Sequence, residues 1–254
     1  RSFGKAKKKL SKYNIKTFEN VYKSAGDNFY RDFYIRKRTN NIFISSKLAT
    51  SKDLFISDKY NKWITNVHSR GRVHLLRANH DSILTTSKTI LKDNSMLNCR
   101  IDGLKKYSPK RFVIDKNLSI PVTSKIIRTA NKIKTYIFYN LIDNIKLEKL
   151  KRLKVITIRI DLKNNHLDFD KIIFFLRNKG FYRVFVEAGI EFNNFLLENN
   201  YINDFYHFYS DELFGYKGFH NAKFFFNKMN KIMRDKKKIR INLFQDKLIK
   251  YLLK

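Results

Sequence analysis

Glu187 closes an apolar stretch, Val184-Phe185-Val186-Glu187-Ala188-Gly189, and an ionised group in such a place is costly to bury without a partner. Two positions on, Gly189 would let the backbone approach a phosphate closely. The helix expected after it would offer unpaired N–H groups and the positive end of its dipole. Chain packing is the competing reading of a glycine at such a turn. Small and polar residues also collect where other candidate strands end: Ala49-Thr50-Ser51, Thr85-Thr86-Ser87 and Asp115-Lys116. In open α/β sheets the carboxyl ends of strands form the ligand crevice, because loops and helix N-termini converge there. The chemistry to expect is capture of a phosphorylated ligand at one end of a parallel sheet.

Missing motifs narrow the field. No phosphate-binding loop of the G-x-x-x-x-G-K-S/T type occurs, and none of the eight glycines falls into G-x-G-x-x-G. Neither G-x-S-x-G nor H-E-x-x-H is present, so hydrolase readings lose their usual anchors. Six scattered histidines and one cysteine, Cys99, permit no zinc site of ordinary spacing.

Beyond residue 40 strand-like and helix-like segments alternate, which predicts a mainly parallel sheet covered by helices. The candidate strands are Ile42 to Ala49, Ser82 to Thr85, Arg111 to Asp115, Thr135 to Tyr139, Val155 to Ile160, Tyr182 to Glu187 and Phe205 to Tyr209. Phe169, Ile172, Ile173 and Leu176 make one apolar helical stripe with Gly180 as its stop. Phe192, Phe195 and Leu196 repeat that spacing. Thr65 or Asn66 would cap a helix running through Leu75, Leu76 and Arg77. The basic stretch from Met229 to Lys238 reads as a solvated loop, with a nucleic-acid patch as the rival. Ile239 to Phe244 and Leu248 to Leu253 are strand-compatible.

At 43% hydrophobic and 15% aromatic residues the chain can bury a core and is not a disordered tail. A formal charge of +32 invites a polyanion partner. The lysines, however, run along the whole chain beside many Asn, Ile, Phe and Tyr, the usage of an AT-biased coding sequence, and we read the charge as compositional. One cysteine argues for a reducing compartment, and no apolar run approaches membrane-spanning length, so the cytoplasm is expected.

From about Arg31 to Gly218 the chain resembles the reductase half of the bifunctional riboflavin-biosynthesis deaminase-reductase. The matching residues are Lys47-Leu48-Ala49-Thr50-Ser51-Lys52-Asp53, Lys62-Trp63-Ile64-Thr65, Leu76-Arg77-Ala78, His80 to Thr85, Thr89-Ile90-Leu91-Lys92-Asp93-Asn94, Leu97-Asn98-Cys99-Arg100, Ser108 to Arg111, Val113-Ile114-Asp115 and Val186-Glu187-Ala188-Gly189. The resemblance implies a dihydrofolate-reductase-like fold, three layers α/β/α around a mainly parallel sheet with antiparallel C-terminal strands. It implies NADPH-dependent reduction of the ribosyl group of 5-amino-6-(5-phosphoribosylamino)uracil to ribityl.

Carried over position by position, Ala49, Trp63, Thr89, Asp93, Lys116, Gly189 and Ile190 would contact NADPH, the last two at its pyrophosphate. Asn61, Arg77, Leu97, Arg100 and Glu187 would hold the phosphoribosylamino-pyrimidine, the arginines clamping its phosphate. No obligate catalytic residue is assigned, since the cofactor supplies the reducing power; Asp53 and Glu187 are the candidate carboxylates. Structural rivals stand beside these roles: Trp63 as core, Arg77 as a helix C-cap, Asp93 as the partner of a surface lysine. The chain departs from the family pattern at Leu54 and Phe55, where relatives carry Gly and a basic residue, at Asn61 for Ser and at Ser95 for Pro. Lys59 or Lys62 could supply the missing charge.

Residues 1 to 38 read differently, as a polar and basic connector from the end of a zinc deaminase domain, with residues 39 to 254 as the reductase domain. Arg1-Ser2-Phe3-Gly4-Lys5 and Tyr13 to Thr17 resemble that junction, and the deaminase zinc motif is absent from these residues. Relatives form dimers or larger assemblies, so a homo-oligomer is expected. Two other functions remain in view, a basic nucleic-acid-binding or ribosome-associated protein and a dihydrofolate reductase proper.

Overall fold

The structure is a computed structural model, and it describes residues 4–60 and 63–253. The chain divides into two compact units, 1–40 and 41–254. The first contains α1 (Lys5–Ser11), α2 (Lys23–Phe29) and α3 (Arg31–Thr39), and none of their residues is buried.

The second unit opens with β1 (Phe43–Thr50), β2 (Phe55–Asp58), α4 (Val67–Ala78), β3 (Ser82–Thr86), α5 (Ser87–Asp93), β4 (Lys110–Ile114), α6 (Lys125–Arg128) and β5 (Thr135–Tyr139). It continues with α7 (Asn144–Arg152), β6 (Ile156–Arg159), the small hairpin β7 (Leu162–Lys163) and β8 (His166–Leu167), α8 (Phe169–Asn178), β9 (Arg183–Glu187) and α9 (Ile190–Glu198). Then come β10 (Asp204–Tyr209), β11 (Gly218–Asn221), α10 (Lys223–Ile232), β12 (Asp235–Lys238) and β13 (Lys247–Leu252).

Nine strands form one sheet in the order β12-β13-β10-β1-β9-β3-β4-β5-β6. Every pairing from β10 through β6 is parallel, and β13 and β12 add antiparallel strands at one edge. The predicted α/β class with antiparallel C-terminal strands is what the chain adopts. The central strands read as unbroken apolar runs because both faces are covered. Val184 and Val186 point into the core beneath α8, α9 and α10, while Phe185 between them points under α4 to α7.

The helical spacing also holds. In α8 Phe169, Ile172 and Leu176 are buried, Asp168 caps the start by accepting from the N–H groups of Asp170 and Lys171, and Gly180 at φ 83 turns the chain out. Each such side chain contributes about 1.5–3 kcal/mol through burial.

Two expectations at the C-terminal end need correction. Met229 to Lys238 is not a loop: Met229 is fully buried in α10, and Asp235–Lys238 pairs with β13. An edge strand needs only its main chain to pair, so Lys236, Lys237 and Lys238 stay solvated and discourage a further strand from docking. Ile239 to Phe244 is a loop, because Phe244 sits at φ 57, a left-handed turn that ends any strand, with its ring 4.3 Å from that of His68.

The family departure after β1 has a physical counterpart. Leu54 occupies the left-handed region at φ 68, where a glycine costs nothing and a leucine roughly 1–2 kcal/mol. Its packing against the apolar cluster beneath α10 offsets that cost. Phe55 lies over Gly218, where an added Cβ would come within 2.3 Å of the phenyl ring.

Candidate active site

Parallel pairing aligns the carboxyl ends of β1, β9, β3 and β4, so Ala49, Glu187 to Gly189, Thr86 to Thr89 and Lys116 follow one another along a single edge of the sheet. Glu187 is opposite Lys47 of β1 in register, and both side chains lie on the α4 face.

Helix α4 is held over that face by its start. Asn66 is the N-cap, accepting from the N–H groups of His68 and Ser69, while its own Nδ2 donates to the Leu243 carbonyl at 2.7 Å and its N–H to Asp246 at 2.8 Å. Arg70 donates to the Thr65 carbonyl at 2.6 Å and lies 4.7 Å from the centre of the Trp63 ring. Trp63 is 57% exposed, so it is a rim residue and not core.

Arg77, in the last turn of α4, does not cap its helix. Its Nε donates to Glu187 Oε1 at 2.5 Å and its Nη2 to Oε2 at 2.9 Å, a bidentate pair at a buried site, with Lys47 Nζ 3.8 Å behind. A third donor, Nη1, reaches the Asn98 carbonyl at 3.0 Å. Burial by itself would raise the Glu187 pKa, but the charge and hydrogen bonds of Arg77, with Lys47 in support, hold it below the usual carboxylate value. Thr85 Oγ1 donates to the Glu187 carbonyl at 2.7 Å and fixes the strand end.

Arg100 is exposed beside this pair. Partial burial and the neighbouring Arg77 cation lower its pKa, with Glu187 acting in the opposite sense. Lys47, Arg77 and Arg100 therefore surround one carboxylate, a net positive site fitted to a phosphate. The side chain of Leu97 is buried in the core, and its backbone sits at φ 50.

On the other side of the strand ends, Gly189 is the N-cap of α9 in extended backbone, with no side-chain cap, and an added Cβ there meets no atom within 4 Å. Its value is open space next to unpaired helix N–H groups, not a special backbone angle. Lys88 of α5 and Glu191 of α9 pair at 2.5 Å, bringing the first turns of both helices together. Thr89 Oγ1 is 3.3 Å from Thr86 Oγ1, and Asp93 ends α5. Lys116 donates from Nζ to the carbonyl and Oδ1 of Asn165, both at 2.7 Å, so it is tied to the β7–β8 hairpin.

Asp53 lies just beyond the end of β1. Its carboxylate accepts from Ser51 Oγ at 2.6 Å and from the N–H groups of Phe214 and Gly215 at 3.1 and 2.8 Å. That makes it a brace between two loops, and Asp53→Ala is expected to lose about 1–3 kcal/mol of stability with kcat per folded molecule nearly unchanged. Urea unfolding beside steady-state kinetics checks this. Asn61 and Lys62 lie outside the described residues.

Lys47, His74 and Asn98 were not singled out from sequence. A charged residue in mid-strand was the available signal for Lys47, and the three-residue spacing to Arg77 on α4 was the signal for His74. Among the described residues there is no group of His, Cys, Asp or Glu that could hold a metal ion, and no helix long and apolar enough to cross a membrane.

Comparison with known proteins agrees with this architecture. A riboflavin biosynthesis protein RibD from Actinobacillus pleuropneumoniae is 26% identical over 216 residues, 84% of this chain and 57% of that protein. The chain thus spans little more than half the length of that relative. A 5-amino-6-(5-phosphoribosylamino)uracil reductase from Buchnera aphidicola is 27% identical over 169 residues, 62% of this chain and 78% of that protein. Among solved structures, Acinetobacter baumannii RibD superposes with a TM-score of 0.72 at 21% identity, covering 99% of this chain and 69% of that one. A Saccharomyces riboflavin biosynthesis reductase superposes with a TM-score of 0.64 at 19% identity, covering 90% and 99%. The RibD C-terminal domain model matches residues 43–220, the stretch that holds the carboxyl ends of β1, β3, β4 and β9, and the chain belongs to that family.

Proposed function

We propose that residues 39 to 254 reduce the ribosyl group of 5-amino-6-(5-phosphoribosylamino)uracil to ribityl with NADPH as the reductant. The observation that carries this reading is the buried Glu187, paired to Arg77 and backed by Lys47, beside the open N-terminus of α9. The cofactor, when bound, supplies a hydride to C1 of the sugar. Gly189 and Ile190 would hold its pyrophosphate, for which the uncapped helix start and the free space at Gly189 are suited. Ala49, Trp63, Thr89, Asp93 and Lys116 would line its remaining length.

Arg100 and the N–H groups that Arg77 does not spend on Glu187 and Asn98 hold the sugar phosphate. Glu187 and Lys47 face the ribose. As C1 is reduced, its bond to the ring oxygen breaks and that oxygen takes up a proton, which we assign to Lys47. Most of the rate then comes from holding donor and acceptor in line. The same proposal treats residues 1 to 38 as a connector from a zinc deaminase domain, in keeping with the absence of buried residues among 4–40.

The purified chain is expected to oxidise NADPH when given the deaminated phosphoribosylamino-uracil and not when given dihydrofolate; no oxidation with either sinks the proposal. Gly189→Asp separates binding from folding. Aspartate is a favoured N-cap, so stability is unchanged or higher by up to ~1 kcal/mol, while its carboxylate takes the helix N–H groups and repels the pyrophosphate. NADPH affinity is expected to fall by more than about tenfold, about 1.4 kcal/mol, in a fluorescence titration. The nucleic-acid alternative is disfavoured by the spread of charge: exposed lysines occur on α7 beside the β6 edge and on β12 at the opposite edge of the sheet.

A further inference from the structure

His74 precedes Arg77 by one turn on the same face of α4. Its Nδ1 is 2.9 Å from the Asn98 carbonyl oxygen; the main-chain nitrogen of Arg100 and Arg77 Nη1, each 3.3 Å away, are donors themselves and so are neighbours of a protonated Nδ1, not its hydrogen-bond partners. We propose that His74 is a positioning residue that clamps the Leu97–Arg100 segment to α4, so that Arg77 and Arg100 meet the substrate phosphate at a fixed separation. The identity of what the two arginines bind rests on the functional reading above; the clamp rests on the contacts themselves.

Three features support the clamp. The Asn98 carbonyl can only accept, so the shortest contact assigns the proton to Nδ1, and His74 donates to the same oxygen that Arg77 Nη1 reaches at 3.0 Å. Both ends of the segment are then secured, by Leu97 in the core and by Cys99, whose N–H donates to Ser108 Oγ at 3.1 Å, leaving His74 and Arg77 to set its distance from the helix. Finally, the charged groups acting on the imidazole are Arg77, Arg100 and Glu187. Burial first, then the two arginine charges, bring its pKa down to about 4, so at neutral pH an uncharged donor stands between two cations. A charged side chain there would drive them apart.

The test compares His74→Leu, His74→Asn and His74→Gln in the full chain. Leucine cannot donate, the asparagine amide nitrogen takes the place of Nδ1 and can donate to the Asn98 carbonyl, and glutamine carries its amide one carbon further, to the place of Nε2. The expected result is an Arg77 Nε–H that exchanges with solvent about tenfold faster in the Leu and Gln variants, with KM for the phosphorylated substrate raised about tenfold. KM for NADPH and kcat should stay within about twofold, and Asn should restore both readouts. Wild-type exchange and KM in the Leu or Gln variant overturn the proposal, as does an Asn variant that behaves like Leu. A wild-type chain that turns over no substrate defeats the functional reading, and the exchange measurement still decides the clamp.

Discussion

Glu187→Gln is expected to cost about 3–5 kcal/mol of stability and to lower turnover on the order of 10²-fold, because it leaves the Arg77 guanidinium buried with no counter-charge. Burial is what sets the size of the effect. Both side chains of the pair are almost wholly withdrawn from solvent, and Lys47 at 3.8 Å adds a second cation that the glutamine cannot neutralise. The double variant Glu187→Gln with Arg77→Gln removes both charges, so it should regain most of the lost stability while turnover stays low. That non-additivity is the signature to measure in a double-mutant cycle by urea unfolding. A single variant as stable as wild type would show that the pair does not form in solution.

The pH dependence follows from the same groups. Glu187 is held below its usual pKa of 4.5, so its contribution is complete above that value and is lost as pH falls through the lower folded value. His74 stays neutral in the folded chain down to about 4, whereas in the unfolded chain it takes a proton near 6.5. The unfolded state therefore binds more protons first, and stability should begin to decline below about pH 6.5. In His74→Gln that first decline should be smaller, which a series of thermal melts from neutral pH downward can show.

Arg111→Met is expected to leave a chain that does not fold at 37 °C, with a loss of about 3–5 kcal/mol. Arg111 is fully buried and has no carboxylate among its hydrogen-bond partners. All of its donors are used: Nε and Nη2 on Thr135 Oγ1, Nη1 on the Met96 carbonyl and Thr129 Oγ1, Nη2 also on the carbonyls of Ile126 and Ile133. Burial pushes its pKa down to about 10, which still leaves it charged at neutral pH. Methionine fills similar space and orphans the Met96 and Ile126 carbonyls. Lysine keeps the charge but cannot fan its donors in a plane, so Arg111→Lys should fall between the two. Because Met96 leads directly into Leu97 to Arg100, the lysine variant should also show a raised KM for substrate. Unfolding midpoints near wild type for Arg111→Met would refute this account.

Much of the fold was legible because a buried parallel strand and an amphipathic helix write their pattern locally. Thr135 to Tyr139 was read to its exact bounds, and Glu187 was placed at a strand end because the apolar run stops there. The C-terminal segment resisted for a corresponding reason. Edge pairing of Asp235–Lys238 depends on a neighbour that arrives later in the chain, and no local apolar signal announces it. For Asp53 the motif gave a position but not its partners, because Phe214 and Gly215, whose N–H groups it accepts from, lie 161 and 162 residues away.

By itself the sequence determined the family, the order of the parallel strands, and the set of polar residues that collect at strand ends. Those follow from residue type and short-range spacing. The tertiary structure alone decided partnership. It decided that the Arg77 fork is turned onto Glu187, that Lys47 stands behind that pair, that His74 and Arg77 share the Asn98 carbonyl, and that Asp53 braces a loop. The physical reason is that a charge withdrawn from water must find its partner wherever the packed sheet brings one, and Arg77 and Glu187 are 110 positions apart in the chain.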